Sequence, residues 1–406
     1  MDTDKTKIRI SSLPKQELLT ELAPKLELLQ KLSGFLTRGA YHQELLTQAQ
    51  NLLIHIGSFL EDNYSLQNTP VLRLLENGCE MLYRIATQED AASDIRVFSG
   101  MADSILSTLD ESFREISRRL SITAIFRNEG RYIEEWLCCH KLHGVEHFYL
   151  YDNESTDNTA QLLKPYLDAG LVTLVSWPGE QVQLSAYDHA VSHYKNETDY
   201  MAFLDIDEFL VPLLEEESLP DIVAGIISDH ETRPFRLSVK VGGIGVCWRM
   251  YGTSHHKTSP GNLVIEDYLY RAEDHFPESH HFKVITNPRA VEGFPWTAHV
   301  PQYKDGCMGI TENGTYLTYA PIFRDSRFER LQLNHYYTKS EAEFYAKMQR
   351  GWPDQPHIRQ TDAYIAEELK KREPCNEIYD PVLLRDAPAV RSEIRRMRHR
   401  TADSED

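Results

Sequence analysis

Asp205, Asp207 and Glu208 close the apolar run YMAFLDIDEF (200–209). Read as one strand, the run alternates its side chains, which sets the two aspartates, one residue apart, on the same side. Paired carboxylates at a strand end are hard oxygen donors of the kind that hold Mg2+ or Mn2+ together with phosphate oxygens and water. A cation there would offset the charge building on a departing nucleoside diphosphate, an effect worth several kcal/mol in a transition state. A solvent-facing acidic turn is the plainer alternative, because D-x-D is a common triplet. Its place after an apolar run favours the metal.

Two further polar clusters follow apolar runs. Arg127-Asn128-Glu129 comes after SITAIF (121–126), and DNESTD (152–157) begins at the end of HFYLYD (147–152). Between and after them lie helical stretches, RYIEEWLCCHKLHG, QLLKPYLDAG ended by Gly170, and LSAYDHAVSHY (184–194), with LVTLV (171–175) as a third strand. Strand and helix alternating at this spacing predict an α/β fold with a mostly parallel sheet covered on both faces. Ligands bind beyond the carboxyl ends of such strands, which is where all three clusters stand. Residues 234–337 read as strand-rich, SEAEFYAKMQRG as a helix ending at Gly351, and the tail beyond Pro353 as mixed helix and loop.

Residues 13–120 follow a helical period instead. Leu18, Leu22, Leu26 and Leu29 make one stripe, and Leu45, Ala49, Leu52, Ile56 and Phe59 a second. Leu72, Leu75, Cys79, Leu82 and Ile85 make a third; Ile105, Leu109, Phe113, Ile116 and Leu120 make a fourth. Such stripes bury one another as a bundle, with Thr69-Pro70 opening the third helix. No titratable cluster lies on the apolar faces, so this segment is assigned to packing, partner docking or a homodimer. The expected division is therefore a bundle over 1–120, a catalytic domain over 121–351 and an extension over 352–406.

Composition narrows the class. With 62 acidic against 43 basic residues in 406, the formal charge of −19 repels phosphate backbones and disfavours nucleic acid as a partner. No apolar stretch is long enough to span a membrane, and MDTDKTKIRISS has no apolar signal core. Six cysteines without CxxC spacing read as buried thiols of a reducing compartment, so a cytoplasmic protein is expected. RSEIRRMRHR near the end is a local basic run: a solvated helix end, or a segment touching anionic lipid at a membrane surface or an acceptor glycan.

The pieces FRNEGRYIEEWLCCHKLHGVEHFYLYDNESTDNT, YMAFLDIDEFLVP and NHYYTKSEAEFYAKMQRG, in this order, resemble glycosyltransferase family 92 and the related family-2-like enzymes. WRMYGTSHHKTSPGNLVIEDYLYR and HFKVITNPRAV resemble the same pattern, and the likeness covers about 121–351. It implies a GT-A fold, a nucleotide-sugar donor, Mn2+ or Mg2+, and inversion at the anomeric carbon. UDP-galactose is the donor it suggests, and a glycan, lipid-linked sugar or protein is the acceptor.

The resemblance also distributes roles. Asp152 matches a carboxylate that contacts uracil or ribose, while Ser155, Thr156 and Asp157 cap the next helix. Arg127, Asn128 and Glu129 lie where the nucleotide is expected; an internal Arg127–Glu129 salt bridge is the alternative. Asp207 would be the principal metal ligand, Asp205 would contact ribose and reach the metal through water, and His335 would supply the third ligand, with His299 as its rival. Lys339 would neutralise the diphosphate, and Lys347 or Arg350 would reach it. Glu266 or Asp267 would be the base that deprotonates the acceptor, a role worth about 10²–10⁴-fold, unless both only cap a helix start. Trp248 and Tyr251 would stack on a sugar ring, unless they pack the core. His255 and His256 would bind acceptor hydroxyls or form a metal pair, and Lys283 and Arg289 would face an anionic donor.

Two rival readings stand beside this one. A sugar nucleotidyltransferase would share the sheet but opens with a Gly-rich basic loop after the first strand, where FRNEGRY has one glycine and an acid. A noncatalytic glycan-binding scaffold would not need Asp205, Asp207 and His335 together.

Overall fold

A computed structural model describes residues 24–25, 27–29, 31–32, 43–63, 70–87, 98, 100–101, 104, 118–214, 216–233, 239–318, 320, 328–350 and 360–402. The chain forms two compact units, Met1–Glu115 and Ile116–Asp406.

In the first unit, α1 (Gln43–Asn63) and α2 (Pro70–Thr87) are helices that pack against each other. Ala49, Leu52 and Ile56 of α1 and Leu75, Leu82 and Ile85 of α2 are buried, as the stripes require. The helices touch at Gly78, where an added Cβ would lie 2.9 Å from Leu53 Cδ1. Of the first stripe, Leu29 is helical and buried, and Leu18, Leu22 and Leu26 lie outside the described residues. Of the fourth, residues 105–116 lie outside them, and Leu120 belongs to a strand instead of a helix end.

The second unit is built on nine strands: β1 (Arg118–Phe126), β2 (His147–Asp152), β3 (Val172–Ser176), β4 (Thr198–Phe203), β5 (Glu208–Pro212), β6 (Lys240–Met250), β7 (Phe282–Thr286), β8 (Cys307–Thr311) and β9 (Leu331–His335). They are ordered β3-β2-β1-β4-β7-β6-β9-β5, with β8 also paired to β6. β1 to β4 are mutually parallel; β7 and β5 run against their neighbours. The sheet is thus mostly parallel, as expected.

Strands buried on both faces carry apolar residues at consecutive positions. In β2, Phe148 and Leu150 join the core formed with Trp136 and Leu137 of α3 (Ile133–Leu142). Tyr149 and Tyr151 point the other way, to Ala186, Tyr187 and Ala190 of α5 (Gln183–Tyr194). Helix α4 (Thr159–Asp168) adds Leu163 and Tyr166 to the first face, and α6 (Leu219–Glu231) adds Ile222 and Val223.

The run 200–209 corrects the one-strand expectation. After Leu204, whose N–H still reaches Thr123 O of β1 (3.1 Å), the chain leaves β1, turns through residues 205–207 with Glu208 N donating to Asp205 O (3.1 Å), and re-enters the sheet as β5 beside β9. The backbone groups beyond the turn find their partners on β9, with Glu208 opposite His335, so no single straight strand carries both aspartates.

Beyond the short α7 (Val264–Asp267) and α8 (Glu341–Arg350), the described tail forms α9 (Asp362–Lys371) and α10 (Ala387–Ala402) within the same unit. Ile365 packs on Phe344 and Met348, and Val390 and Met397 enter the main core. The basic run lies on α10, where Arg391 pairs with Glu266, Arg396 with Glu393, and Arg398 with the buried Glu134. Those three charges are spent within the chain.

Candidate active site

Asp207 is the centre of the charged cluster beyond the carboxyl ends of β1 and β4. Its Oδ2 lies 2.7 Å from Lys347 Nζ, and its Oδ1 lies 3.5 Å from His335 Nε2. Burial pushes its carboxyl up, but Lys347, His335 and Lys339 outweigh that and hold it well below the usual carboxylate range. His335 is the last residue of β9; burial lowers its imidazole while Asp207 raises it, and its buried Nδ1 meets no protein partner. That ring stands 4.4 Å, centroid to centroid, from Trp248.

Helix α8 presents Glu343, Lys347 and Arg350 on one face by their i, i+4, i+7 spacing. Burial draws the Lys347 ammonium down, yet Asp207 more than compensates and leaves it raised. Its Nζ also sits 3.9 Å from the Tyr337 ring centroid. Lys339 has φ 50°, which turns the chain sharply between β9 and α8. Its buried Nζ lies 4.4 Å from the Tyr132 ring centroid, and burial lowers the ammonium. Burial raises the half-buried Glu129, whose carboxyl feels Lys339, Asp207, Arg350 and Lys347 in turn.

Asp205 faces a second cluster. Its Oδ2 accepts from Lys283 Nζ at 3.0 Å and its Oδ1 from Gln183 Nε2 at 3.1 Å. Lys283 is buried on β7 and also lies 3.5 Å from the fully buried Glu208. Burial opposes the Lys283 charge, but Asp205 and Glu208 raise it well above the ordinary value. Glu208 is itself raised, by burial first, and its Oε2 accepts from Asp205 N at 2.8 Å.

Three corrections concern the sugar- and metal-binding expectations. Tyr251 cannot stack on a sugar: it is 1% exposed, and its hydroxyl donates to Asp380 O at 3.1 Å. Trp248 carries His281, His299 and His335 on its ring, which makes it a support for the histidines. His255 and His256 are no metal pair, since His255 is exposed beside Tyr270 and His256 Nε2 donates to Asp267 O at 2.9 Å.

Other side chains are taken up by neighbours. His299 Nδ1 donates to Phe282 O at 2.7 Å, and burial lowers the ring to about 4. Arg289 reaches Thr198 O and Lys195 O at the opposite end of β4 from Asp205. Asn128, at φ 58°, accepts from Thr156 N (2.7 Å) and donates its own N–H to Ser155 Oγ, so Ser155 and Thr156 tie the β2 turn to β1 instead of capping a helix. Asp157 does receive Thr159 N at the start of α4. Asp152 ends β2 with Oδ1 accepting from Ser155 N, and Arg127 is exposed.

The expected bases sit at the start of α7. Glu266 accepts from Leu263 N at 3.1 Å and is gripped by Nε and Nη2 of Arg391. Asp267 accepts from Asn262 N and Nδ2 at 3.0 and 2.9 Å. Both acids are thus tied to the helix start, Glu266 with a cation beside it and Asp267 with the neutral Asn262.

Residues 121–362 match the sequence pattern of glycosyltransferase family 92. The chain belongs to glycosyltransferase family 92.

Among family-92 relatives, a protein of Oryza sativa subsp. japonica is 25% identical over 188 residues, covering 46% of this chain and 30% of that one. A family 92 protein of Ricinus communis is 29% identical, covering 44% and 30%. A Caenorhabditis elegans relative named beta-1,4-galactosyltransferase galt-1 is 26% identical over 238 residues, covering 55% and 52%. The chain thus aligns with less than a third of each plant relative. Among solved structures, S. aureus TarS 1-349 in complex with UDP covers 62% of this chain and 69% of that one at 14% identity, with a TM-score of 0.30.

For the cation that family 92 implies, Asp207 and His335 are a carboxylate and an imidazole side by side, too far apart for a strong hydrogen bond. Asp205 is engaged by Lys283 and Gln183, and among the described residues no three His, Cys, Asp or Glu side chains converge as a metal centre. The set fits a cation with two protein ligands that completes its shell with phosphate oxygens and water. It does not fit an all-protein cage.

Sequence reading missed two supports of this family-92 site. Glu343 accepts from Tyr268 OH (2.6 Å), Tyr132 OH and Ser340 N (3.0 Å), steadying the ring under Lys339. Glu135 accepts from Val264 N (2.8 Å) and Ile265 N (3.0 Å), anchoring α7; burial lifts it to about 7. The i, i+4 spacing of Glu343 and Lys347 was a visible signal; Glu135 offered none.

Proposed function

We propose that this chain is a metal-dependent, inverting glycosyltransferase that moves a hexose, galactose first, from a UDP-sugar to a hydroxyl of a glycan or glycoconjugate. The observation that carries the reading is the meeting of Asp207, His335, Lys339 and Lys347 beyond the carboxyl ends of β1, β4 and β9, where α/β sheets bind ligands. The name of the C. elegans relative supports galactose.

Asp207 and His335 would hold a divalent cation, which supplies charge neutralisation to the diphosphate leaving group. Lys339 and Lys347 offer two further positive charges to the same phosphates, and Lys339 is preoriented by the Tyr132 ring. Asp152 and Arg127 bound the nucleotide end, at the tips of β2 and β1. The acceptor hydroxyl attacks the anomeric carbon opposite the leaving diphosphate and gives its proton to a carboxylate. We assign that role to Asp267, whose partner Asn262 is neutral, ahead of Glu266, which Arg391 neutralises.

Thermal melts with Mn2+, UDP and both together test the donor class. A joint rise in Tm larger than either alone is expected, because ligands bound only by the folded state stabilise it. No rise with the pair would refute the reading.

A further inference from the structure

We propose that Lys347, aided by Lys339, makes cation binding at Asp207 conditional on the nucleotide diphosphate. This rests on the reading of Asp207 and His335 as the cation's ligands. The geometry supplies the reason. Lys347 Nζ lies 2.7 Å from Asp207 Oδ2 and 3.3 Å from Tyr337 O, with its charge over the Tyr337 ring. Lys339 is buried and fixed over Tyr132, whose hydroxyl Glu343 holds. Neither ammonium is a mobile surface charge.

The acids of the site already have cations beside them. Lys347 and Lys339 stand at Asp207, Lys339, Arg350 and Lys347 act on Glu129, and Lys283 serves Asp205 and Glu208 in the neighbouring cluster. Two positive charges added to Asp207 alone would meet two ammoniums already turned toward it, the half-buried Lys347 and the buried Lys339, and like charges repel. The same two charges arriving with a diphosphate would meet anionic oxygens as well, and Lys347 would share them. The lysines therefore disfavour the cation alone and favour the cation with its nucleotide. Coupling of this kind is reciprocal: Mn2+ raises the affinity for UDP by the factor by which UDP raises the affinity for Mn2+.

No acceptor or sugar is needed to test this. Free Mn2+ is measured by electron paramagnetic resonance in titrations of the full chain, with and without UDP. For the unchanged chain, UDP is expected to tighten Mn2+ by about 30-fold. Lys347→Met keeps the stem and removes the charge; it is expected to bind Mn2+ alone about 10-fold more tightly and to lose most of the UDP coupling. Lys347→Arg keeps the charge and is expected to keep the coupling, and Lys339→Met is expected to act as Lys347→Met does, more weakly. Mn2+ affinity unaltered in both Met variants, while Asp207→Asn abolishes binding, would overturn the role of the lysines. Mn2+ binding unaltered in Asp207→Asn would instead remove the cation from Asp207, and the proposal with it.

Discussion

Asp207 and Lys347 are 140 positions apart in the chain and 2.7 Å apart in the fold. The first stands in the turn between β4 and β5, the second on α8, which follows β9. Pairing of β5 with β9 draws the turn and the helix together, so one backbone register creates the ion pair. A hollow of about 370 Å³ near the amino ends of β1 and β2 shows the contrast. There Arg119 pairs with Asp221 and Lys141 with Glu393, leaving those charges satisfied.

Asp207→Asn is expected to cut transfer by 10²-fold or more, since the variant lacks the anionic ligand. Its stability effect depends on pH. The folded carboxyl lies below the unfolded value of about 4, so its contribution is full above that value and disappears as pH falls through the lowered one. The Tm difference from the parent should be widest at neutral pH and close in acid, as parallel melts would show.

Burial depresses His140 to about 3, His147 to about 4 and His299 to about 4. Their unfolded value is about 6.5, so protons bind the unfolded chain first as pH falls. Stability should be full above about pH 6.5 and decline below it, before most carboxylates titrate. Urea titrations at pH 7.5 and 5.5 check this, and His299→Asn, which retains a donor for Phe282 O, should flatten part of the slope.

Lys283→Met leaves Asp205 and Glu208 without their shared cation. Removing one partner of a buried charge cluster costs about 3–5 kcal/mol. Adding Glu208→Gln should recover part of the loss, because the amide oxygen can still accept from Asp205 N. Equal denaturation midpoints for the single and double variants would contradict the shared-cation role.

Glu343→Gln is expected to destabilise by about 1–3 kcal/mol, since two tyrosine hydroxyls lose a charged acceptor. Because Tyr132 underlies Lys339, UDP affinity should weaken too. Calorimetric titration with UDP separates this from simple loss of stability.

Asp267→Asn and Glu266→Gln should differ in kind. The first is expected to lower kcat by about 10²–10⁴-fold with KM for donor little changed. The second should mainly lower Tm, through loss of the Arg391 pair. Equal kcat in Asp267→Asn and the parent would exclude Asp267 as the base.

The amino-acid sequence alone determined several of the elements and the neighbourhood of the site. Period-2 and period-3.6 patterns placed β2 at 147–152 and α5 within one residue at its start, because burial of one or both faces is written in side-chain order. The acidic triplet and His335 were visible because chemistry demands those residue types. What the tertiary structure alone decided is which groups meet. Asp205 and Asp207 part company at a turn whose backbone partners lie on β9, and Tyr251 vanishes into a core that WRMYGTSHH does not announce. Lys283 and Glu343 acquire their roles from contacts 78 and 211 residues away in the chain, and such distances carry no local period to read.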